Sequence, residues 1–144
     1  MKKRTVLFIL NIGFDKPGSS IHLFNGIFES FLENNFKIIV VQRVTDKNSD
    51  FKLHLNKKLK DDDNVKVITV IDKHLAKKSF FKRFVGEILY SKKLKKIYKN
   101  IGKVDSIFIE STFILSYYTK PLRKIFNCPI IYNCQDIFRR MQLF

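Results

Sequence analysis

Thr5-Val-Leu-Phe-Ile-Leu10 followed by Asn11-Ile-Gly-Phe-Asp-Lys-Pro-Gly-Ser-Ser20 is the stretch whose reading decides the fold. The first segment is β-branched, aliphatic and aromatic with no polar alternation, the pattern of a strand buried on both faces of a parallel sheet. The second carries Gly13, Pro17, Gly18, Ser19 and Ser20, turn-forming residues that mark a loop. Beyond it the apolar residues Ile21, Phe24, Ile27, Phe28, Phe31 and Leu32 recur at intervals of three and four, one stripe of a helix. Ser19 or Ser20 can cap that helix, and Asn34-Asn35 can end it, because asparagine tolerates left-handed backbone. Lys37–Gln42, through Ile38-Ile-Val-Val41, is then a second strand.

The same grammar continues outward. A polar stretch with a weak helical pattern, 51–59, leads to the acidic turn Asp61-Asp62-Asp63-Asn64 and a third strand, Val65–Ile71. Residues 77–100 predict a long helix whose buried side carries Phe81, Phe84, Val85, Ile88, Leu89, Leu94, Ile97 and Tyr98. Asp105–Glu110 is a fourth strand, 113–126 a helix that Pro121 should kink or divide, and Ile130-Ile-Tyr132 a fifth strand. Strand and helix alternate every 25 to 35 residues or so, which predicts an α/β fold with a Rossmann-like, doubly wound parallel sheet. Ligands of such sheets bind outside the carboxyl ends of the strands. Three segments fall there: 11–20, the residues after Glu110, and 133–138.

Composition bounds the function. With 144 residues, 45% hydrophobic and 14% aromatic, the chain is one core-forming domain or half of a larger enzyme. The basic, apolar start mimics an export signal but meets Asn11 and Asp15 too early, so a buried first strand and a cytoplasmic location are expected. Two cysteines, Cys128 and Cys134, form no CxxC pair or cysteine–histidine cluster; no metal site is expected, and both read as reduced, partly buried thiols. Lys and Arg outnumber Asp and Glu by 28 to 13, a formal charge of +15 that favours an anionic partner. Nucleic acid is disfavoured, because no recognition module accompanies the charge.

The first loop approaches P-loop spacing, but Ser19 stands where the phosphate-binding lysine should be, and the glycines do not match a dinucleotide fingerprint. What remains is a glycine-containing loop feeding a helix N-terminus, whose backbone N–H groups can hold an anion or a sugar oxygen. Gly18, Ser19, Ser20 and His22 are therefore candidate substrate contacts. At the other end, Pro129-Ile-Ile-Tyr-Asn-Cys-Gln-Asp-Ile-Phe138 delivers Asn133, Gln135 and Asp136 to a strand's carboxyl edge. Amide and carboxylate groups together suit polyol recognition, since each can engage adjacent hydroxyls.

The Tyr132-Asn-Cys-Gln-Asp-Ile-Phe138 pattern, with the opening Val6–Leu10 strand, Pro17-Gly-Ser-Ser-Ile-His-Leu23 and Phe36–Val41, resembles the N-terminal domain of family 4 glycosyltransferases, especially bacterial capsule and exopolysaccharide enzymes. The resemblance covers the chain in strand order; its sharp motifs span about 20 residues. It implies a GT-B arrangement of two facing Rossmann-like domains with retention of anomeric configuration and no catalytic metal. In that arrangement the N-terminal domain takes a glycan or lipid-linked sugar acceptor, and the nucleotide-sugar donor sits on the other domain. By position it puts Gly18 and Ser19 at the interdomain cleft and gives Gln135 and Asp136 a catalytic or polar role near the reacting sugar. The chain departs from the pattern where family members follow Phe138 with proline; Arg139-Arg-Met-Gln-Leu-Phe144 stands there instead. A one-base frame slip would restore the motif. The implied organisation is residues 1–138 as the acceptor-side domain, 139–144 as an aberrant tail, a donor domain that is missing or separately encoded, and a fragment inactive alone.

From Lys77 to Lys99 there are nine basic residues and a single acid, Glu87. Lys77, Lys78, Lys82, Arg83, Lys92 and Lys93, interleaved with aromatic residues, fit a helix at an anionic membrane surface, here the inner face of the cell membrane. Two other readings stand beside the acceptor domain: a basic peripheral-membrane or scaffold module pairing with a separate donor-binding subunit, and a P-loop-like nucleotide binder, which Ser19 disfavours.

Overall fold

Five parallel strands form one sheet in the order β3-β2-β1-β4-β5, and helices cover both of its faces. The computed structural model describes residues 3–73, 79–110 and 122–133. In chain order the elements are β1 (Arg4–Ile9), α1 (Ser19–Glu33), β2 (Phe36–Val44), α2 (Lys57–Lys60), β3 (Val65–Ile71), α3 (Phe80–Tyr98), β4 (Ser106–Glu110), α4 (Leu122–Phe126) and β5 (Ile130–Asn133). The doubly wound α/β architecture expected from the alternation is what the chain adopts.

β1 is the central strand, and residues 6–10 are buried throughout, which is why the sequence there is apolar without alternation. Its even-numbered residues Val6, Phe8 and Leu10 join Ile21, Phe24 and Phe28 of α1 and Leu59 of α2 on one face. The aromatic excess is concentrated here: Phe8 makes edge contacts with Phe28 and Phe31 at centroid distances of 4.9 and 5.5 Å, and Phe108 of β4 closes on Phe8 and Phe24. The odd residues Leu7 and Ile9 pack on the opposite face with Tyr90, Leu94 and Tyr98 of α3 and Leu122 of α4. α1 ends as its sequence suggests, with Asn35 at φ 64° in the left-handed region. Its start differs: Gly18 is the N-cap in extended conformation, and neither serine side chain caps the helix.

Three further expectations change, and the fifth strand is found where it was expected. β2 runs two residues past Gln42, carrying the polar pair Gln42 and Arg43 into the interior. Within 51–59 only the last turn is helical, and the preceding residues form turns packed beneath the first loop. The buried side of α3 is rotated: Phe81 and Leu89 are 72% and 40% exposed, whereas Glu87 and Ser91 are buried beside Tyr90 and Leu94. A buried cation on β2 draws Glu87 inward, a demand that apolar periodicity cannot register. β5 is an edge strand, with Ile131 and Tyr132 exposed at 56% and 41%. The helix expected over 113–126 is described only as α4, and Cys134 lies outside the described residues; Cys128 is a buried thiol.

Candidate functional site

The strand order reverses direction between β1 and β4: α1, which follows β1, packs on one face of the sheet and α4, which comes after β4, on the other, the arrangement at whose carboxyl ends such sheets bind ligands. Register fixes who meets there: Ile9 pairs with Ile109, and Glu110 pairs with Asn133. Asn11, just past β1, donates its backbone N–H to Glu110 Oε2 at 3.3 Å. The switch point therefore places Asn11, Glu110 and Asn133 side by side on one rim. Two amides and a carboxylate in a row offer both donors and acceptors, a set suited to vicinal hydroxyls.

The loop from 11 to 18 is tied down to the end of β2. Arg43 N–H donates to Ile12 O at 3.2 Å, and Gln42 Oε1 accepts the Phe14 N–H at 2.7 Å. The Gln42 amide donates in turn to Phe51 O and to Thr69 Oγ1 of β3, so one buried side chain joins two loops and two strands. Phe14 is fully buried in the aromatic face and anchors the loop from its centre. Gly13 is required by the close approach: a Cβ there would stand 2.4 Å from Val44 Cγ1, 2.5 Å from Asp15 Oδ1 and 3.0 Å from Arg43 O. Beside the loop lies a cavity of about 180 Å³ lined in part by Asn11, Gly13, Lys16, Pro17, Arg43 and Thr45. Lys16 Nζ donates to Thr45 Oγ1 across it at 3.2 Å.

Gly18 and Ser19 are exposed and Ser20 half-buried at the start of α1, where no side-chain cap and no acidic first-turn residue engages the helix N-terminus. Ile21 N–H donates to Gly18 O at 3.1 Å, and the N–H groups of Ser19 and Ser20 precede it at the helix start, which lies at the carboxyl end of β1. His22 is exposed in that first turn. Asn133 is half-buried and shares the rim with the first loop. Gln135 and Asp136 lie outside the described residues, as do Lys77 and Lys78; Lys82, Lys92 and Lys93 are exposed on α3, which also contains Arg83. No group of three or more metal-ligating side chains occurs among the described residues, and none of their helices is long and apolar enough to cross a membrane.

The structure adds a buried ion cluster that the sequence reading passed over. Arg43, 1% exposed, donates through Nε to Asp72 Oδ2 at 2.8 Å, through Nη2 to the same oxygen, and through Nη1 to Glu87 Oε1. A longer contact, 3.4 Å, reaches Asn11 Oδ1, and the guanidinium stacks 4.4 Å from the centre of the Tyr90 ring. Burial pulls the Arg43 pKa down, but the charges and hydrogen bonds of Glu87 and Asp72 outweigh it, leaving it above the ordinary value. Glu87 Oε2 is buried with no hydrogen-bond partner among the described residues. The cluster locks the ends of β2 and β3 and the middle of α3 together behind Asn11. The signal in the sequence was a Gln-Arg pair followed by Val44, a strand continuing through polar residues, and a single acid inside a basic helix.

No protein-family profile and no curated protein sequence matches the chain. Its fold does match a solved structure, the crystal structure of TcCGT1 in complex with UDP, with a TM-score of 0.63 at 10% sequence identity. The match covers 92% of this chain and 28% of that one. At that identity the likeness speaks for the fold, and this chain spans well under half of the larger molecule.

Proposed function

We propose that the chain is the acceptor-side, N-terminal domain of a two-lobed, sugar-nucleotide-dependent glycosyltransferase. The observation that carries this reading is the β1–β4 switch point, where a glycine loop, an uncapped helix N-terminus and the Asn11–Glu110–Asn133 row share one rim. The fold likeness to TcCGT1, crystallised with UDP, supports it, since this chain corresponds to 28% of that molecule and leaves room there for a separate nucleotide-binding lobe. The Tyr132–Phe138 motif narrows the reading to a retaining, family 4 type of enzyme serving bacterial surface polysaccharides. In this scheme Gly18, Ser19, Ser20, His22 and Asn133 contact the acceptor, and Gln135 and Asp136 stand near the reacting sugar. The donor is held by another lobe, so the domain alone turns nothing over.

Chemical-shift mapping with a soluble oligosaccharide and, separately, with UDP tests the assignment. Glycan-dependent shifts should gather at 11–22 and at Asn133, with UDP giving none there. Saturable UDP or ATP shifts centred on 13–20 would instead favour a nucleotide-binding loop.

A second reading, a peripheral-membrane module that docks a separately encoded donor subunit, draws on α3. Phe81 and Leu89 are exposed on a helix that also exposes Lys82, Lys92, Lys93 and Lys96. Apolar and cationic groups on one exposed helix match an interfacial contact with anionic lipid.

A further inference from the structure

Away from the switch point, on the far side of β2, the end of the edge strand β3 and the outer side of α3 enclose a second cavity, of about 420 Å³. Its lining includes Asp72, Lys73, Leu89, Lys92, Lys93 and Lys96, so four lysine side chains border one space. None of the four lysines makes a salt bridge among the described residues. The single carboxylate in the lining, Asp72, accepts hydrogen bonds from two nitrogens of Arg43, which also pairs with Glu87, so one negative charge of the buried cluster is left for the four surrounding lysines to outweigh. Lys93 is held in place: its Nζ donates to the carbonyl of Ile71, the last residue of β3, at 2.7 Å, leaving its other two protons for a ligand. Leu89 and Tyr90 add apolar surface to the same wall.

We infer that this pocket is a binding site for a diphosphate group bearing an organic substituent. Lysine binds phosphate as a point charge, and several such charges around one concavity fit a group with several anionic oxygens better than a monovalent carboxylate. The volume lies within the range of small-molecule sites. The apolar wall suits the first carbons of whatever the diphosphate carries. The spacing explains the geometry: Lys96 follows Lys93 by three residues and Lys92 by four, and Leu89 precedes those two by four and three, so all share one side of α3. Lys73 faces them from the β3 end. The site is independent of the acceptor-domain reading, because it uses neither the first loop nor β4 and β5.

Titration of the full chain with inorganic pyrophosphate, followed by calorimetry and backbone shift mapping, tests it. The wild-type protein should saturate, with shifts at 71–73 and 89–96. Lys92→Gln with Lys96→Gln should weaken binding by about tenfold or more, the loss of roughly one strong charge-assisted contact. Lys52→Gln with Lys57→Gln, an equal change of charge at exposed positions elsewhere, should alter it less than about twofold, a shift too small to represent a lost contact. Vesicles containing a prenyl diphosphate distinguish the source: displacement of pyrophosphate by them assigns the site to a lipid-borne diphosphate, and failure to displace assigns it to a soluble one. Absence of saturation, or equal weakening in both double variants, would overturn the inference, since only diffuse charge would then be at work.

Discussion

At the scale of single residues, Arg43 has the largest consequences. It sits 1% exposed between Asp72 and Glu87, against the face of Tyr90, and within 3.4 Å of Asn11. Replacing it with methionine fills similar space but leaves two carboxylates in the interior without their counter-charge. We expect a loss of about 3–5 kcal/mol, the range for breaking one side of a buried ion pair. Adding Asp72→Asn and Glu87→Gln should recover most of it, because neutral amides tolerate burial far better than unpaired anions. Urea unfolding of the single and triple variants measures both, and a triple variant as weak as the single would argue that shape rather than charge sets the cost. Gln42 and Gly13 act alongside Arg43, one by hydrogen bonding the first loop to β2, the other by permitting the two backbones to approach. Gly13 and Gly18 were legible in the sequence as loop residues. Gln42 and Arg43 were not legible as interior groups, because a polar pair after an apolar run ordinarily marks the end of a strand.

Among the elements, α3 separates what periodicity can and cannot tell. Its existence and extent follow from the sequence, but the side it buries is set by Glu87 reaching Arg43 and by Tyr90, Leu94 and Tyr98 stacking at four-residue intervals. The rotation leaves Phe81 and Leu89 in solvent beside the lysines. If that exposed surface meets anionic lipid, Phe81→Ser should lower co-sedimentation with phosphatidylglycerol vesicles by several-fold without changing the unfolding midpoint, since a residue 72% exposed contributes little to the core. Equal sedimentation with neutral and anionic vesicles would remove the membrane reading. α1 behaves differently: its stripe Ile21, Phe24 and Phe28 is buried as the spacing dictates, because no ionic partner competes for that face.

For the molecule as a whole, the two faces of the sheet have different chemistry, and this shows in its pH response. One face is packed by phenylalanine and does not titrate. The other buries Tyr90 and Tyr98, whose hydroxyls burial pushes well above the ordinary tyrosine range, although the Arg43 charge partly opposes this at Tyr90. The folded state therefore holds protons that the unfolded chain releases. Stability should be undiminished by these groups below about pH 10 and should fall as the pH climbs beyond it. Urea midpoints at about pH 9 and about pH 11 check the sign, and Tyr98→Phe should flatten part of the slope, since its hydroxyl has no partner among the described residues to lose. A midpoint unchanged over that interval would contradict neutral, buried phenols.

The sequence by itself determined the alternation of strands and helices, the parallel character of the sheet, and the position of the first loop and of Asn133 at strand ends. Those features arise from local periodicity and turn chemistry, which a linear reading contains. Only the tertiary structure decided that β1 and β4 are neighbours, that Asn11 and Glu110 therefore meet across 99 residues, and that Arg43 finds its two acids on β3's exit and α3. Strand order and the pairing of buried charges depend on which segments share a volume. That is settled by packing all the elements at once, and no window along the chain records it.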